Sequence, residues 1–351
     1  MRISPRNLAL VLSFAVATSA RPPSQQALFS TTLKHHEDPP APPPLKNITQ
    51  ELFDEFEELA RIVDISYCVG NSGISAPFSC LSRCSDFPSF ELVQAWNTGP
   101  FLTDSTGYIA LSHEPAPKRI IIAFRGTYSI TNTIIDLSTT QQTYVPYPAP
   151  PEDKGGRCEN CTVHSGFYES WKDAQSVIGD VLEEVVEKYA PLGYKLEVLG
   201  HSLGGAVAAL AGLDAAARGW KPRITTFGEP RVGNEEFAKF ISEHFDRETF
   251  RRITHTSDPV PHLPFDKWGF APHEFEYFIT KKSLDPTVDD VVECTDGARD
   301  SRCSESESVN GFQLFWSHRD YFHRLGLCLP SDPFGFWRGR SGEEPDQNDV
   351  L

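Results

Sequence analysis

Between Lys195 and Leu213 the chain reads KLEVLGHSLGGAVAALAGL, an apolar run of strand character that becomes an apolar helix through Gly200-His201-Ser202-Leu203-Gly204. An ordinary strand-to-helix connection needs no such pair of glycines. Their spacing suits a turn sharp enough to lift a serine hydroxyl above the strand end. The backbone at the serine is then strained, and side chains two residues before and after it would collide across the turn. A helix starting at Leu203 points its unpaired amide hydrogens at negative charge developing above the serine. A glycine-rich packing turn would carry the same five letters, but the strand before and the helix after favour the catalytic reading. The feature demands a sheet whose strand ends carry chemistry.

The rest of the chain supplies such a sheet. ITQELFDEFEELARIVDISYC, from Ile48, has apolar residues at helical spacing behind an acidic first turn and predicts a helix ending near Cys68. GYIALSHEPAPKRIIIAFRG predicts two strands joined by a Pro-containing turn, with Arg119–Arg125 apolar enough to be central. HSGFYESWKDAQSVIGDVLEEVVEKYAP predicts a long amphipathic helix closed by Pro191. PRITTFGEPRVGN and FRRITHTSDPVPHLP each begin with a short β-like run and break on Gly or Pro. Strands alternating with helices predict an α/β domain with a central, mostly parallel sheet flanked by helices.

The ends read differently. MRISPRN, the apolar LALVLSFAVA and the small residues ATSA have the layout of a secretory signal peptide over residues 1–20. Its apolar run is well short of the roughly 20 residues a membrane span needs, and no other segment is long and apolar enough, so no transmembrane segment is expected. Residues 21–46, with RPPSQQ and HHEDPPAPPPLK, lack apolar periodicity and read as a propeptide or flexible arm. Residues 331–351 read as a disordered acidic tail, leaving residues 47–330 as one domain. The formal net charge of −16 and the absence of a basic stripe argue against nucleic acid as a partner. An acidic surface of this kind would meet lipid through apolar contacts rather than charge.

Eight cysteines in a secreted chain imply disulfides. Cys80/Cys84, Cys158/Cys161 and Cys294/Cys303 are spaced as local staples, which leaves Cys68 with Cys328. CENC (158–161) is also a CxxC, but no second CxxC or suitable histidine accompanies it, so no metal is expected. Asn47 (NIT) and Asn160 (NCT) begin glycosylation sequons.

A nucleophilic serine needs a base, and the base an orienting acid. His201 is locked beside the nucleophile and faces the wrong way. His318, in FWSHRDYFHRLGLC, would be fixed near the core by a Cys68–Cys328 bridge, with His323 on a different face. Asp258, in THTSDPVPHLP, follows a strand and precedes prolines that stiffen its loop. The order Ser202, Asp258, His318 is that of α/β-hydrolases.

With these residues in place, GHSLGGAVAAL, FRGTYSITNTIIDL, HSGF, FGEPRVGN and THTSDPVPHLP together resemble the class 3 lipases of filamentous fungi over roughly Leu52 to Leu329. The cysteine pattern is similar too. The resemblance implies an α/β-hydrolase fold, Ser202 as nucleophile, Asp258 as acid, His318 as base, and Thr127 joining the Leu203 N–H in an oxyanion hole. It implies no cofactor, and the protein is expected to be a monomer. It also implies a short helical lid after Thr127, with Ile130, Ile134 and Ile135 on one face, suited to covering an apolar cleft and then meeting a lipid–water interface. The implied activity is hydrolysis of acylglycerols or other esters, triacylglycerol foremost. A feruloyl or other carboxylesterase is the alternative, because Thr133 follows Asn132 where many of these lipases carry tryptophan and TFGEPR resembles the esterases. A silent lipid-binding protein on the same scaffold would have lost a triad position, and all three are filled here.

Overall fold

The computed structural model describes residues 44–99, 104–127, 140–146, 158–306 and 317–329. The expectations for the leader, for the arm up to residue 43, for the tail and for Ile130, Ile134 and Ile135 lie outside these residues. Among them, nine strands form one sheet: β1 (Lys46–Asn47), β2 (Phe90–Asn97), β3 (Thr106–Ser112), β4 (Arg119–Phe124), β5 (Lys195–His201), β6 (Arg223–Phe227), β7 (Phe250–His255), β8 (Glu276–Ile279) and β9 (Val291–Glu293). Their order across the sheet is β1-β9-β8-β7-β6-β5-β4-β3-β2. The run from β4 through β5, β6 and β7 to β8 is parallel, whereas both flanks are antiparallel. The short β3–β4 connection leaves no room for a crossover, so that pair has to be antiparallel. Lys46, the last residue expected in the arm, already pairs with Glu293 in the sheet.

The central strands are apolar because both faces are covered. Along β4, Ile120, Ile122 and Phe124 belong to the core beneath α2 (Ser165–Tyr189) and α3 (Leu203–Ala217). Ile121 and Ala123 belong to the core beneath α1 (Gln50–Ile65). Alternate side chains of a strand point to opposite faces, so a doubly covered strand reads as the unbroken run RIIIAF. α3 is nearly all buried, which explains why GGAVAALAGL shows no polar face. A further helix, α4 (Glu235–His244), is capped by the Asn234 side chain, which accepts from the Phe237 N–H.

α1 does more than cover the sheet. Its N-cap Thr49 accepts from the Leu52 N–H at 3.2 Å, and its apolar stripe buries Phe56, Leu59, Ile62 and Val63. Phe53 packs edge-on to Phe322 with ring centroids 5.2 Å apart. The buried Asp64 accepts from the Gly326 N–H at 2.8 Å and from Ser82 Oγ at 3.1 Å. Cys68, just beyond the helix, is bonded to Cys328 across 260 residues. Three kinds of contact thus hold residues 317–329 against one helix. Losing a native disulfide of this kind costs about 2–5 kcal/mol.

A fourth contact titrates. Glu57 of α1 accepts from His323 and from Arg61, the latter at 2.8 Å. Burial acts to raise the Glu57 carboxyl, but hydrogen bonds and charge from His323 and Arg61 outweigh it and bring it from 4.5 to about 2. A carboxylate depressed on folding contributes stability above its unfolded value and loses it as pH falls through the folded one. Glu57→Gln is therefore expected to lower Tm at neutral pH and to flatten the decline of Tm between pH 4.5 and about 2. Thermal melts of both proteins across that window check this, and parallel curves would contradict it.

Candidate active site

Ser202 follows β5 and caps α3 with φ 59° and ψ −131°. Such a conformation costs on the order of 1–3 kcal/mol and persists only where the surroundings impose it. Here the Ser202 N–H donates to the Phe227 carbonyl at 2.9 Å, and its own carbonyl accepts from the Gly205 N–H at 2.8 Å. The two flanking glycines have separate reasons. A Cβ on Gly200 would lie 2.0 Å from the Gly204 carbonyl oxygen, and one on Gly204 would lie 2.4 Å from the Phe124 carbonyl oxygen. This corrects the expectation that the two side chains would strike each other. Gly200 makes room for the turn's own backbone, and Gly204 lets α3 sit on the end of β4. The second contact brings the start of α3 against the main chain of Phe124 and Arg125.

Asp258 and His318, 60 positions apart, meet in the buried interior. His318 Nδ1–H donates to both oxygens of Asp258, at 3.0 and 2.9 Å. A carboxylate can only accept, so Nδ1 carries the proton and Nε2 is left with its lone pair. Nε2 is buried and has no hydrogen-bond partner among the described residues. Tyr321 O–H donates to Asp258 Oδ2 at 2.6 Å and the Val260 N–H to Oδ1 at 2.9 Å. Burial pushes the Asp258 carboxyl up, but its interaction with His318 and the hydrogen bonds from Tyr321 and Val260 hold it below the usual range. Burial first, and the charge on Asp258 second, push the Tyr321 hydroxyl well above its ordinary value, so it stays a donor.

Ser202 adjoins this pair. The ring of His201 stacks on that of His318, with centroids 4.7 Å apart. Gly228, next to the Phe227 that receives the Ser202 N–H, has no room for a Cβ because His318 Cε1 would lie 2.8 Å away. On the other side, a Cβ on Gly126 would lie 2.7 Å from Ser202 Cβ. Thr127 Oγ1, one residue on, is buried and without a partner among the described residues. Leu203 opens α3, where the first amides of a helix have no carbonyl to bond. A strained serine, an imidazole with a bare Nε2, a buried carboxylate and two kinds of donor therefore lie on adjoining segments at the carboxyl end of the parallel strands. Such a set can deprotonate a serine and stabilise an oxyanion.

Other residues singled out from sequence lie elsewhere. His323 pairs with Glu57 on α1, away from Asp258. The pairs Cys80–Cys84, Cys158–Cys161 and Cys294–Cys303 are bonded. Asn47 is exposed but donates to the Asp289 carbonyl at 2.7 Å, and Asn160 is exposed on a loop with φ 58°. No cluster of three metal-ligating side chains occurs among the described residues. Sequence reasoning missed two tyrosines. Tyr321 lies three residues after His318, and Tyr67 immediately precedes Cys68; both positions were visible, but not what their hydroxyls reach.

Comparison with known proteins adds to this geometry. Residues 121–268 match the family described as Lipase (class 3). The chain is 43% identical over 370 aligned residues to secreted mono- and diacylglycerol lipase 2 of Gibberella zeae, covering 87% of this chain and 89% of that one. It is 41% identical to lipase A of Sodiomyces alcalophilus, over 85% of this chain and 87% of the relative. Among solved structures, the Lip2 lipase of Yarrowia lipolytica superposes with a TM-score of 0.73 at 32% identity, covering 81% of this chain and 98% of the other.

The Tyr321 hydrogen bond can be weighed by experiment. A hydrogen bond to a charged group contributes about 1.5–3 kcal/mol, so Tyr321→Phe should slow phosphonylation of Ser202 by roughly tenfold or more. His323→Ala should leave that rate nearly unchanged. Time courses with a fluorophosphonate read both, and a larger loss in the His323 variant would contradict the assignment of His318.

Proposed function

The chain belongs to the class 3 lipase family of carboxylic ester hydrolases, and on that premise we propose that it is a secreted acylglycerol lipase working through Ser202, His318 and Asp258. The observation that carries the assignment is the buried Asp258–His318 pair, which leaves His318 Nε2 as a free base beside the strained Ser202. In the acylation half, Nε2 takes the Ser202 proton while Oγ attacks the ester carbonyl. The tetrahedral oxyanion is held by the Leu203 N–H and Thr127. The imidazolium, still donating to Asp258, then gives its proton to the departing alcohol. In the second half, water loses a proton to His318 and attacks the acyl-enzyme, and Ser202 recovers its proton as the acid leaves. No metal or cofactor enters these steps.

For the substrate, the name of the Gibberella zeae relative supports mono- and diacylglycerols ahead of the triacylglycerol that the sequence reading placed first. The esterase alternative rested partly on TFGEPR. Glu229 of that motif is buried and pairs with His273 Nε2 at 3.0 Å, so it serves the core rather than a cleft. Access to lipid has support outside the lid. Phe265 and Trp268, 36% and 38% exposed, lie on the loop that follows Asp258, with ring centroids 5.0 Å apart. Aromatic side chains so placed suit contact with an apolar surface, which an acidic protein needs in place of charge attraction. No helix of the described residues is long and apolar enough to cross a membrane.

Initial rates on mono-, di- and triacylglycerols of one acyl chain, with methyl ferulate alongside, test this reading. The expected order places mono- and diacylglycerol first, and Ser202→Ala should lose activity on all by about 10⁴-fold or more. Trp268→Ala should depress turnover of an emulsion more than that of a soluble short-chain ester. Methyl ferulate as the preferred substrate would overturn the acylglycerol assignment.

A further inference from the structure

One polar group at the site takes no part in the steps above. Tyr67 is 1% exposed and His201 0%, and their side chains meet at 2.6 Å between the Tyr67 hydroxyl and His201 Nδ1. The direction of the bond follows from its neighbours. His201 Nε2 lies 2.8 Å from the His318 carbonyl, which can only accept, so Nε2 carries the proton and Nδ1 is bare. Tyr67 O–H therefore donates to Nδ1. Its oxygen then accepts from the Gly126 N–H, at 3.1 Å.

We propose that Tyr67 and His201 are positioning residues for ester hydrolysis: this relay fixes the Gly126–Thr127 loop to the Ser202 turn and to the main chain of His318. The inference rests on the triad reading above and adds the means by which its three separate segments keep register. The relay's geometry suits that role. A Cβ on Gly126 would lie 2.5 Å from the Tyr67 hydroxyl and 2.7 Å from Ser202 Cβ, so the loop is wedged between them. Arg125 Nη1 donates to the Val69 carbonyl at 3.0 Å, a second tie between the same loop and the segment after Tyr67. The Cys68–Cys328 bridge anchors that segment to the His318 stretch. Charge states agree with the bonding. Burial raises the Tyr67 hydroxyl, so it keeps its proton, and burial with the adjacent His318 pushes His201 well down, so Nδ1 stays an acceptor.

Because Tyr67 acts through the loop that carries Thr127, its loss should be felt where oxyanion charge is stabilised. Tyr67→Phe should lower kcat on a soluble p-nitrophenyl ester by roughly tenfold with KM within about twofold, the loss of about one hydrogen bond in the transition state alone. The Tyr67→Phe/Thr127→Ala double variant should be less impaired than the product of the two single losses, since both act on one oxyanion contact. His201→Phe keeps the ring and removes both nitrogens, and should give the same kcat-specific loss should Tyr67→Phe fold poorly. An unchanged kcat with only Tm lowered, or multiplicative losses in the double variant, would overturn the proposal. Fluorophosphonate labelling of the wild-type protein separates this from the underlying reading: absence of label on Ser202 would overturn the triad itself, whereas a labelled wild type with a fully active Tyr67→Phe variant overturns the relay alone.

Discussion

A carboxylate buried without partners would cost several kcal/mol, and the site is arranged around meeting that cost at Asp258. Its two oxygens receive His318 Nδ1–H, the Tyr321 hydroxyl and the Val260 N–H. The same bonds fix the imidazole tautomer and its orientation. Burial of the charge and orientation of the imidazole are one requirement, and the chain meets it by bringing residues 317–329 to the loop after β7.

Holding that stretch in place falls to α1 and the residues just after it. Phe53 and Phe56 grip Phe322, Glu57 takes His323, Asp64 takes the Gly326 N–H and Cys68 takes Cys328. These contacts mix apolar packing, an ion pair, a buried hydrogen bond and a covalent link. They respond differently to heat, acid and reductant, so no single condition releases all of them. The central strands meanwhile set where Ser202 emerges, because β5 pairs in parallel with β4 on one side and β6 on the other.

Much of this was legible in the chain. The glycines around Ser202, the continuous RIIIAF strand, the long helix from Ser165 and the order of Ser202, Asp258 and His318 all carry local signals. The parts not read from sequence lack such signals. β2 is an edge-forming strand of mixed polarity, and β8 and β9 have only four and three residues, too few for a period to show. Tyr67 and His201 are 134 positions apart, and Tyr321 and Asp258 are 63 apart. Their roles arise from which hydroxyl faces which acceptor in the folded core, a property of packing that no spacing rule encodes. The reason for Gly204 was misjudged for the same cause: its neighbour is the end of β4, some 80 residues earlier in the chain.

The central claim is that Ser202, His318 and the Leu203/Thr127 donors act on one tetrahedral centre. A crystal structure of the protein inactivated by an alkyl phosphonate tests it most directly. The account predicts phosphorus bonded to Ser202 Oγ, one phosphoryl oxygen within hydrogen-bond distance of both the Leu203 N–H and Thr127 Oγ1, and His318 Nε2 against Oγ or the leaving-group position. Phosphorus on another side chain, or a phosphoryl oxygen turned away from Leu203 and Thr127, would contradict it.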